Sequence, residues 1–182
     1  LVPGPGNNLD MLNMVSRNRY FSYADWDSKF EDIQAPYAAE DLVEILSLIN
    51  TRQLKITPNI SRNIYQYFFM TAKSFFIKGL SETFHSNYTK GFDNYEEALQ
   101  LYLELNYKNG MAQCYRNIGL YFYKNGKQKE AIKNYKKSLN VYEEFKDREE
   151  MFIDLNNIGW SLLQLGDYDE AIKSYKRALE IN

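Results

Sequence analysis

The segment Leu155–Asn182 decides the fold of this chain, and it reads LNNIGWSLLQLGDYDEAIKSYKRALEIN. Two earlier segments align with it without a gap, one at 115–142 (YRNIGLYFYKNGKQKEAIKNYKKSLNVY) and one at 75–102 (FFIKGLSETFHSNYTKGFDNYEEALQLY). The segments start at residues 75, 115 and 155, so the pattern recurs every 40 residues. A period of this length is typical of stacked repeats, in which each unit buries its apolar face against its neighbours. The sequence therefore predicts an all-α protein that contains three repeats.

Each repeat has the pattern of an antiparallel helical hairpin. Leu155, Ile158 and Leu162 are spaced three and four apart, which places them on one face of a first helix. Gly159 lies in that stripe and leaves room for a second helix, and Gly166 ends the first helix because glycine adopts the left-handed cap conformation at little cost. The second helix carries small residues and a tyrosine in register in all three repeats: Gly91, Tyr95 and Ala98; Ala131, Tyr135 and Ser138; Ala171, Tyr175 and Ala178.

These residues resemble the tetratricopeptide repeat family, whose units carry W-x2-L-G-x2-Y followed by A-x3-F. The third repeat is the nearest match, since GDYDEA at 166–171 reads almost as the family's turn. The first repeat departs from the pattern, because Lys78 and Glu82 stand where the second has Ile118 and Phe122. The resemblance covers residues 62–182 and implies a right-handed superhelical solenoid of antiparallel helix pairs, an α-α superhelix.

The units are longer than the family's common form of about 34 residues. We expect the second helix to run roughly a turn and a half further and to end near Phe145 and Lys146. Asp147 and Glu150 then have the spacing of a capping pair that begins the next helix. Such extended units resemble those of kinesin light chains and of Rap-type bacterial peptide receptors, which bind a peptide or a partner protein in their groove.

The region before the repeats does not continue the register. Pro58 and Ser61 punctuate the sequence before a long helix that we expect to start near Arg62. Short helices ahead of it form either a cap or a degenerate extra repeat. The expected domain boundaries are a flexible lead-in or expression scar at 1–8, N-terminal helices at 9–60, and the repeats at 61–182 (about 61–106, 111–145 and 148–182).

The last helix, expected over 168–182, has no following unit in the sequence. Ile172, Tyr175 and Leu179 would then lack a covering helix. Stacked repeats need a polar terminal helix to stay soluble. We therefore expect the chain to be a fragment of a longer repeat protein, with self-association through this C-terminal helix as a consequence.

Composition excludes several classes of protein. Hydrophobic residues make up 45% of the 182 residues and charged residues 25%, which is unlike a disordered or membrane protein. The net charge of −2 gives no global field for nucleic acid, and the lysine-rich run 124–137 is interpreted as a solvated surface. Neither a leader peptide nor a membrane-length apolar run is present, so no membrane insertion is expected and cytoplasmic localisation is the default.

No catalytic constellation is found in the sequence. The single cysteine, Cys114, falls in a first helix and is interpreted as a packed core thiol. The single histidine, His85, has neither the neighbours of a metal site nor an acidic partner at helical spacing. We therefore expect no enzymatic activity, no catalytic or metal-binding residue and no cofactor.

The resemblance implies that a ligand lies against the first helices, which line the concave surface in this family. Asn117 and Asn157 directly precede the Ile-Gly pairs, and a side-chain amide can hold a peptide backbone; equally, asparagine is tolerated on a solvated face. Trp160, Leu120, Phe76 and Leu80 would form an apolar stripe for a hydrophobic side chain or for the chain's own N-terminal helices. The candidate partner-binding residues are Gln113, Arg116, Asn117, Leu120, Tyr123, Lys124, Asn156, Asn157, Trp160 and Gln164.

The sequence thus predicts a protein-protein or peptide-binding scaffold that performs no chemistry. A regulatory module of a signalling enzyme or of a peptide-responsive receptor is the first alternative. A structural module that self-associates is the second alternative.

Overall fold

The computed structural model describes residues 58–181, with side chains from Tyr65 onward. Over these residues it contains six helices and no strand: α1 Pro58–Phe84, α2 Tyr88–Glu104, α3 Lys108–Lys124, α4 Gln128–Phe145, α5 Arg148–Leu165 and α6 Tyr168–Ile181. Each helix packs mainly against its neighbours in sequence. The three hairpins α1–α2, α3–α4 and α5–α6 are the three repeats, and the predicted all-α class is confirmed.

The first helix starts earlier than the sequence indicated. It begins at Pro58 rather than near Arg62. Proline suits the first turn of a helix because its fixed φ is helical and its missing N–H would have no partner there. The expected lead-in and N-terminal helices, up to residue 57, lie outside the described residues.

Short turns join these helices, and all of them have the same geometry. Each contains one residue with a left-handed backbone, and these residues are evenly spaced along the chain: Ser86 (φ 64°), Asn106 (φ 51°), Gly126 (φ 72°), Lys146 (φ 56°) and Gly166 (φ 78°). After each of them the next N–H donates to a carbonyl five residues back, as from Asp147 to Tyr142 at 3.0 Å, which is the Schellman arrangement. Between residues 86 and 166 the chain therefore consists of helix-and-turn segments of equal length.

The turn before α5 confirms two sequence predictions. Helix α4 ends at Phe145 with Lys146 as its left-handed cap, as the spacing indicated. The Asp147 carboxylate accepts a hydrogen bond from the Glu150 N–H at 3.3 Å, so the expected capping pair is formed.

Lys146→Gly is predicted to stabilise the protein. A residue with a side chain in the left-handed region costs about 1–2 kcal/mol, whereas glycine adopts it freely. The Lys146 side chain is exposed and forms no ion pair with another described residue, so little is lost with it. Urea unfolding should show a free energy of unfolding about 1 kcal/mol higher. Lys136→Gly, in the interior of α4, is the matched control and should lower it by about 1 kcal/mol; equal effects at both positions would contradict the prediction.

A glycine beneath a tyrosine ring holds each hairpin together. Gly79 faces Tyr95, Gly119 faces Tyr135, and Gly159 faces Tyr175; a Cβ added to these glycines would lie 2.6, 2.7 and 2.8 Å from a ring carbon. No real Cβ is tolerated that close to a ring without a shift of the neighbouring atoms. The sequence predicted that the glycine leaves room for the second helix and that a tyrosine of that helix fills the groove. The structure shows that the tyrosine side chain of that helix fills the space.

The core consists of two clusters of buried residues along the stack. One is formed by α1, α2 and the start of α3 and contains Phe68, Leu101 and Cys114. The other is formed by α4, α5 and α6 and contains Leu139, Leu155 and Ile158. Cys114 has no exposed surface, and its burial raises the pKa of the thiol, so the predicted role as a core residue is confirmed.

Gly119→Leu is predicted to destabilise the protein by about 3 kcal/mol or more, because the added side chain collides with the buried Tyr135 ring in a close-packed core. Thermal and urea unfolding measure the effect. Lys124→Leu adds the same side chain to an exposed position of the same helix and serves as the control. A melting temperature shifted equally little by both substitutions would show that the glycine does not govern the crossing.

Candidate partner-binding face

The first helices of the three repeats present an exposed apolar column. Leu80, Leu120 and Trp160 are equivalent positions on α1, α3 and α5. Leu80 is 43% exposed, Leu120 is half-buried, and Trp160 is 53% exposed. Together with Tyr123 and Asn157 we refer to them as the first-helix face. Phe76, the fourth residue of the expected apolar stripe, is half-buried, and its ring packs 5.6 Å from the Tyr95 ring against the core.

Trp160 is fixed in position by the preceding repeat. Its indole Nε1 donates a hydrogen bond to the hydroxyl of Tyr123, which lies on α3. One side of the ring is therefore held while about half of its surface stays exposed. A large aromatic group with a fixed orientation loses little entropy on binding, so it is suited to anchor a partner side chain.

Three asparagines on α3 and α5, of which Asn157 belongs to the first-helix face, differ in how their side-chain amides are used. The Asn117 side-chain N–H donates to the Gln113 carbonyl at 2.8 Å, and that of Asn156 donates to the Phe152 carbonyl at 2.7 Å. These bonds to the residue four positions back occupy one donor each and leave the amide oxygen. The half-buried Asn157 side chain forms no such bond within the described residues.

The remaining polar candidates lie towards the edge of the face. Lys124 is exposed at the end of α3, with its ammonium 5.6 Å from the centre of the Tyr88 ring. Gln113 is half-buried near the other end of α3, and Gln164 is exposed near the end of α5. These residues therefore frame the column rather than lie within it.

Arg116 is used within the chain. Its Nε donates to the Asp154 carboxylate at 2.6 Å, and its terminal nitrogens donate to the carboxylate and to the backbone carbonyl of Glu150, the latter at 2.9 Å. The guanidinium also lies 5.1 Å from the centre of the Tyr142 ring. This expected partner-binding residue thus joins the second repeat to the third.

The ion pair is buried, and its groups are perturbed accordingly. Asp154 has no exposed surface, and burial raises its pKa above the ordinary value although the Arg116 guanidinium opposes that rise. Burial alone would lower the pKa of Arg116, but the hydrogen bonds and charges of Asp154 and Glu150 outweigh it and raise that pKa. Burial and pairing with Arg116 therefore act in opposite directions on the pKa of Asp154.

Alignment of the three repeats indicates this ion pair, which was not predicted from the sequence. When the repeats are aligned, Asp154 falls in the same position, or alignment column, as Cys114 and Ser74, both of which are buried. A carboxylate in a buried column requires a cation nearby. Arg116 occupies the column of Phe76, so the interface of the first and second repeats uses Phe76 and Cys114 where the next interface uses an ion pair.

Arg116→Ala is predicted to lower the free energy of unfolding by about 3–5 kcal/mol, because it leaves the buried Asp154 charge unpaired. The double variant Arg116→Phe/Asp154→Cys copies the residues of the preceding interface and should be less destabilised than Arg116→Ala. Urea unfolding of Arg116→Phe, Asp154→Cys and the double variant provides the coupling energy. Additive effects would show that the two side chains do not act together.

The described residues offer no cluster of three His, Cys, Asp or Glu side chains that could hold a metal ion. None of their helices is both long and apolar enough to cross a membrane.

Comparison with known families agrees with the hairpin geometry. The tetratricopeptide repeat model matches residues 79–144 and 131–182, which together make up more than half of the chain. The chain belongs to the tetratricopeptide repeat family. It is thus a protein-interaction repeat module. No curated protein sequence matches it.

Solved structures with the same fold include other tetratricopeptide repeat proteins. The repeat domain of Arabidopsis FLU superposes with a TM-score of 0.58 at 20% identity, over 61% of this chain and 93% of that one. MamA superposes with a TM-score of 0.52 at 19% identity, over 89% and 95%. Aspartyl phosphate phosphatase F from Bacillus subtilis does so with a TM-score of 0.60 at 20% identity, over 94% and 41%. The likeness establishes the predicted right-handed superhelical solenoid of helix pairs.

Proposed function

We propose that this tetratricopeptide repeat chain binds an extended peptide segment of a partner protein on the first-helix face, which in the family's superhelix is the concave side. The observation that carries the proposal is the half-exposed Trp160, held by Tyr123 beside the Asn157 amide, which has no side-chain hydrogen bond in the described part of the chain. An apolar anchor next to amide groups matches the chemistry of a peptide, which offers side chains and backbone N–H and C=O groups together.

The proposed binding residues follow from their environment. Trp160, Leu120 and Tyr123 supply the apolar contact, while Asn117, Asn156 and Asn157 supply amide groups. Gln113, Lys124 and Gln164 contact the ends of the segment. Arg116 is excluded from this set because its donors are engaged by Glu150 and Asp154.

Trp160→Ala is predicted to weaken peptide binding by about 2 kcal/mol or more, since aromatic anchors contribute a large share of interface energy. Asn117→Ala and Asn157→Ala should each weaken it by about 1–3 kcal/mol if the peptide buries their amides. Peptides selected from a random phage-displayed library against the full chain, then labelled with fluorescein, allow anisotropy measurements with each variant.

Lys176→Ala, on the outer side of α6, provides the control and should leave the affinity unchanged. Circular dichroism melts establish that the variants remain folded. Selected peptides that bind all variants equally would contradict the proposal, because their site would then lie elsewhere on the molecule.

A second candidate function is self-association through α6. Leu179 is 72% exposed, Tyr168 63% and Ile172 49%, which forms an apolar strip on the outside of the helix. Such strips are typical of interaction sites. Leu179→Lys should abolish the association in light scattering at high salt, whereas the neighbouring Glu180→Lys should not. Association that persists in Leu179→Lys would contradict this candidate.

A further inference from the structure

The outer faces of the second helices carry charges that change sign along the stack. The column of Asp93 continues as Lys133 and Lys173, and the column of Glu96 continues as Lys136 and Lys176. All six side chains are exposed. At these columns α2 is therefore acidic, while α4 and α6 are basic.

The charged side chains of these two columns form no ion pair on α2 or α4 within the described part of the chain. Neither Asp93 and Glu96 nor Lys133 and Lys136 form an ion pair with another described residue. By contrast, Lys173 on α6 is paired with Glu170 at 2.5 Å. Burial raises the pKa of Glu96, and the nearby charge of Asp93 raises it further.

The charged residues of α2 and α4 lie at the same levels along their helix axes. Helices α2 and α4 begin at equivalent positions of successive repeats, Tyr88 and Gln128, so Asp93 and Lys133 occupy the same turn of their helices. The same holds for Glu96 and Lys136. The acidic and basic groups therefore lie side by side on one outer surface, at matching levels along two neighbouring second helices.

We propose that this surface binds a second copy of the chain. A two-fold axis that runs parallel to the helices, between α2 and α4, places α2 of each copy opposite α4 of the other. Asp93 then faces Lys133 of the other copy, Glu96 faces Lys136, and both contacts occur twice. Such an arrangement is isologous and closes at a dimer. It uses the opposite side of the hairpins from the first-helix face and is independent of the proposed peptide site.

The surface is charged rather than apolar, so the association is expected to depend strongly on salt. Sedimentation velocity of the full chain should show a dimer at about 10 mM salt, where the Debye length is about 30 Å, and a monomer at about 1 M, where it is about 3 Å. Apolar association through α6 has the opposite dependence, because high salt does not weaken it. A monomer at low salt, or a dimer that persists at high salt, would overturn the proposal.

Charge reversal provides the sharper test. Lys133→Glu/Lys136→Glu makes both helices acidic, and Asp93→Lys/Glu96→Lys makes both basic. Each variant alone should be monomeric at low salt, with a dimer dissociation constant raised more than about tenfold. An equimolar mixture of the two should dimerise, because every facing pair is then opposite in charge. Rescue on mixing also excludes misfolding as the cause of either loss.

The control variant carries the same change one repeat further along. Lys173→Glu/Lys176→Glu alters the equivalent columns on α6, outside the proposed pairing, and should leave the dimer intact. If this control abolishes the dimer while Lys133→Glu/Lys136→Glu preserves it, the pairing of α2 with α4 is wrong. Absence of rescue in the mixture would likewise overturn it.

Discussion

Each hairpin depends on the contact between a tyrosine ring of its second helix and a glycine of its first. The ring of Tyr135 lies 2.7 Å from where a Cβ of residue 119 would be, too close for a side chain there, and the other two repeats have the same contact. This contact fixes how closely the two helices approach and where along their length they cross. Because the glycine and the ring recur in register in every repeat, the three hairpins have the same shape and can stack in one direction.

The stacking of one hairpin on the next is held in two different ways. Between the first and second repeats, Cys114 is buried in an apolar cluster against which Phe76 packs. Between the second and third, the equivalent columns hold Arg116 and Asp154 in a buried ion pair. An apolar interface tolerates several arrangements of similar shape, whereas a buried charge is stable only when its partner is in place. The ion pair therefore adds a contact of fixed geometry to the apolar cluster that joins α4 to α5.

Most of the fold could be predicted from the sequence, because it is encoded in columns that repeat. The helix ends at Gly126 and Gly166 and the cap at Asp147 were read from residue type and spacing alone. Ser86 and Lys146 adopt the same left-handed conformation although neither is a residue that favours it. There the stacked helices on either side determine the turn, so local preference could not indicate it.

The candidate site was less predictable, since spacing gives the direction of a side chain but not its partner. Arg116 lies on a helix that carries candidate binding residues, yet its side chain binds Asp154, 38 positions later, in the interface between repeats. Conversely, the indole of Trp160 is held by a hydrogen bond to Tyr123 of the preceding repeat. In a stacked fold the neighbouring repeat determines the environment of a side chain. That environment can therefore be predicted only when two alignment columns that face each other across adjacent repeats are considered together. Positions that no neighbouring repeat covers can vary without a change in the core. The uncovered positions of the first helices and those of the second helices face opposite sides of the hairpins. Each side can therefore bind its own partner.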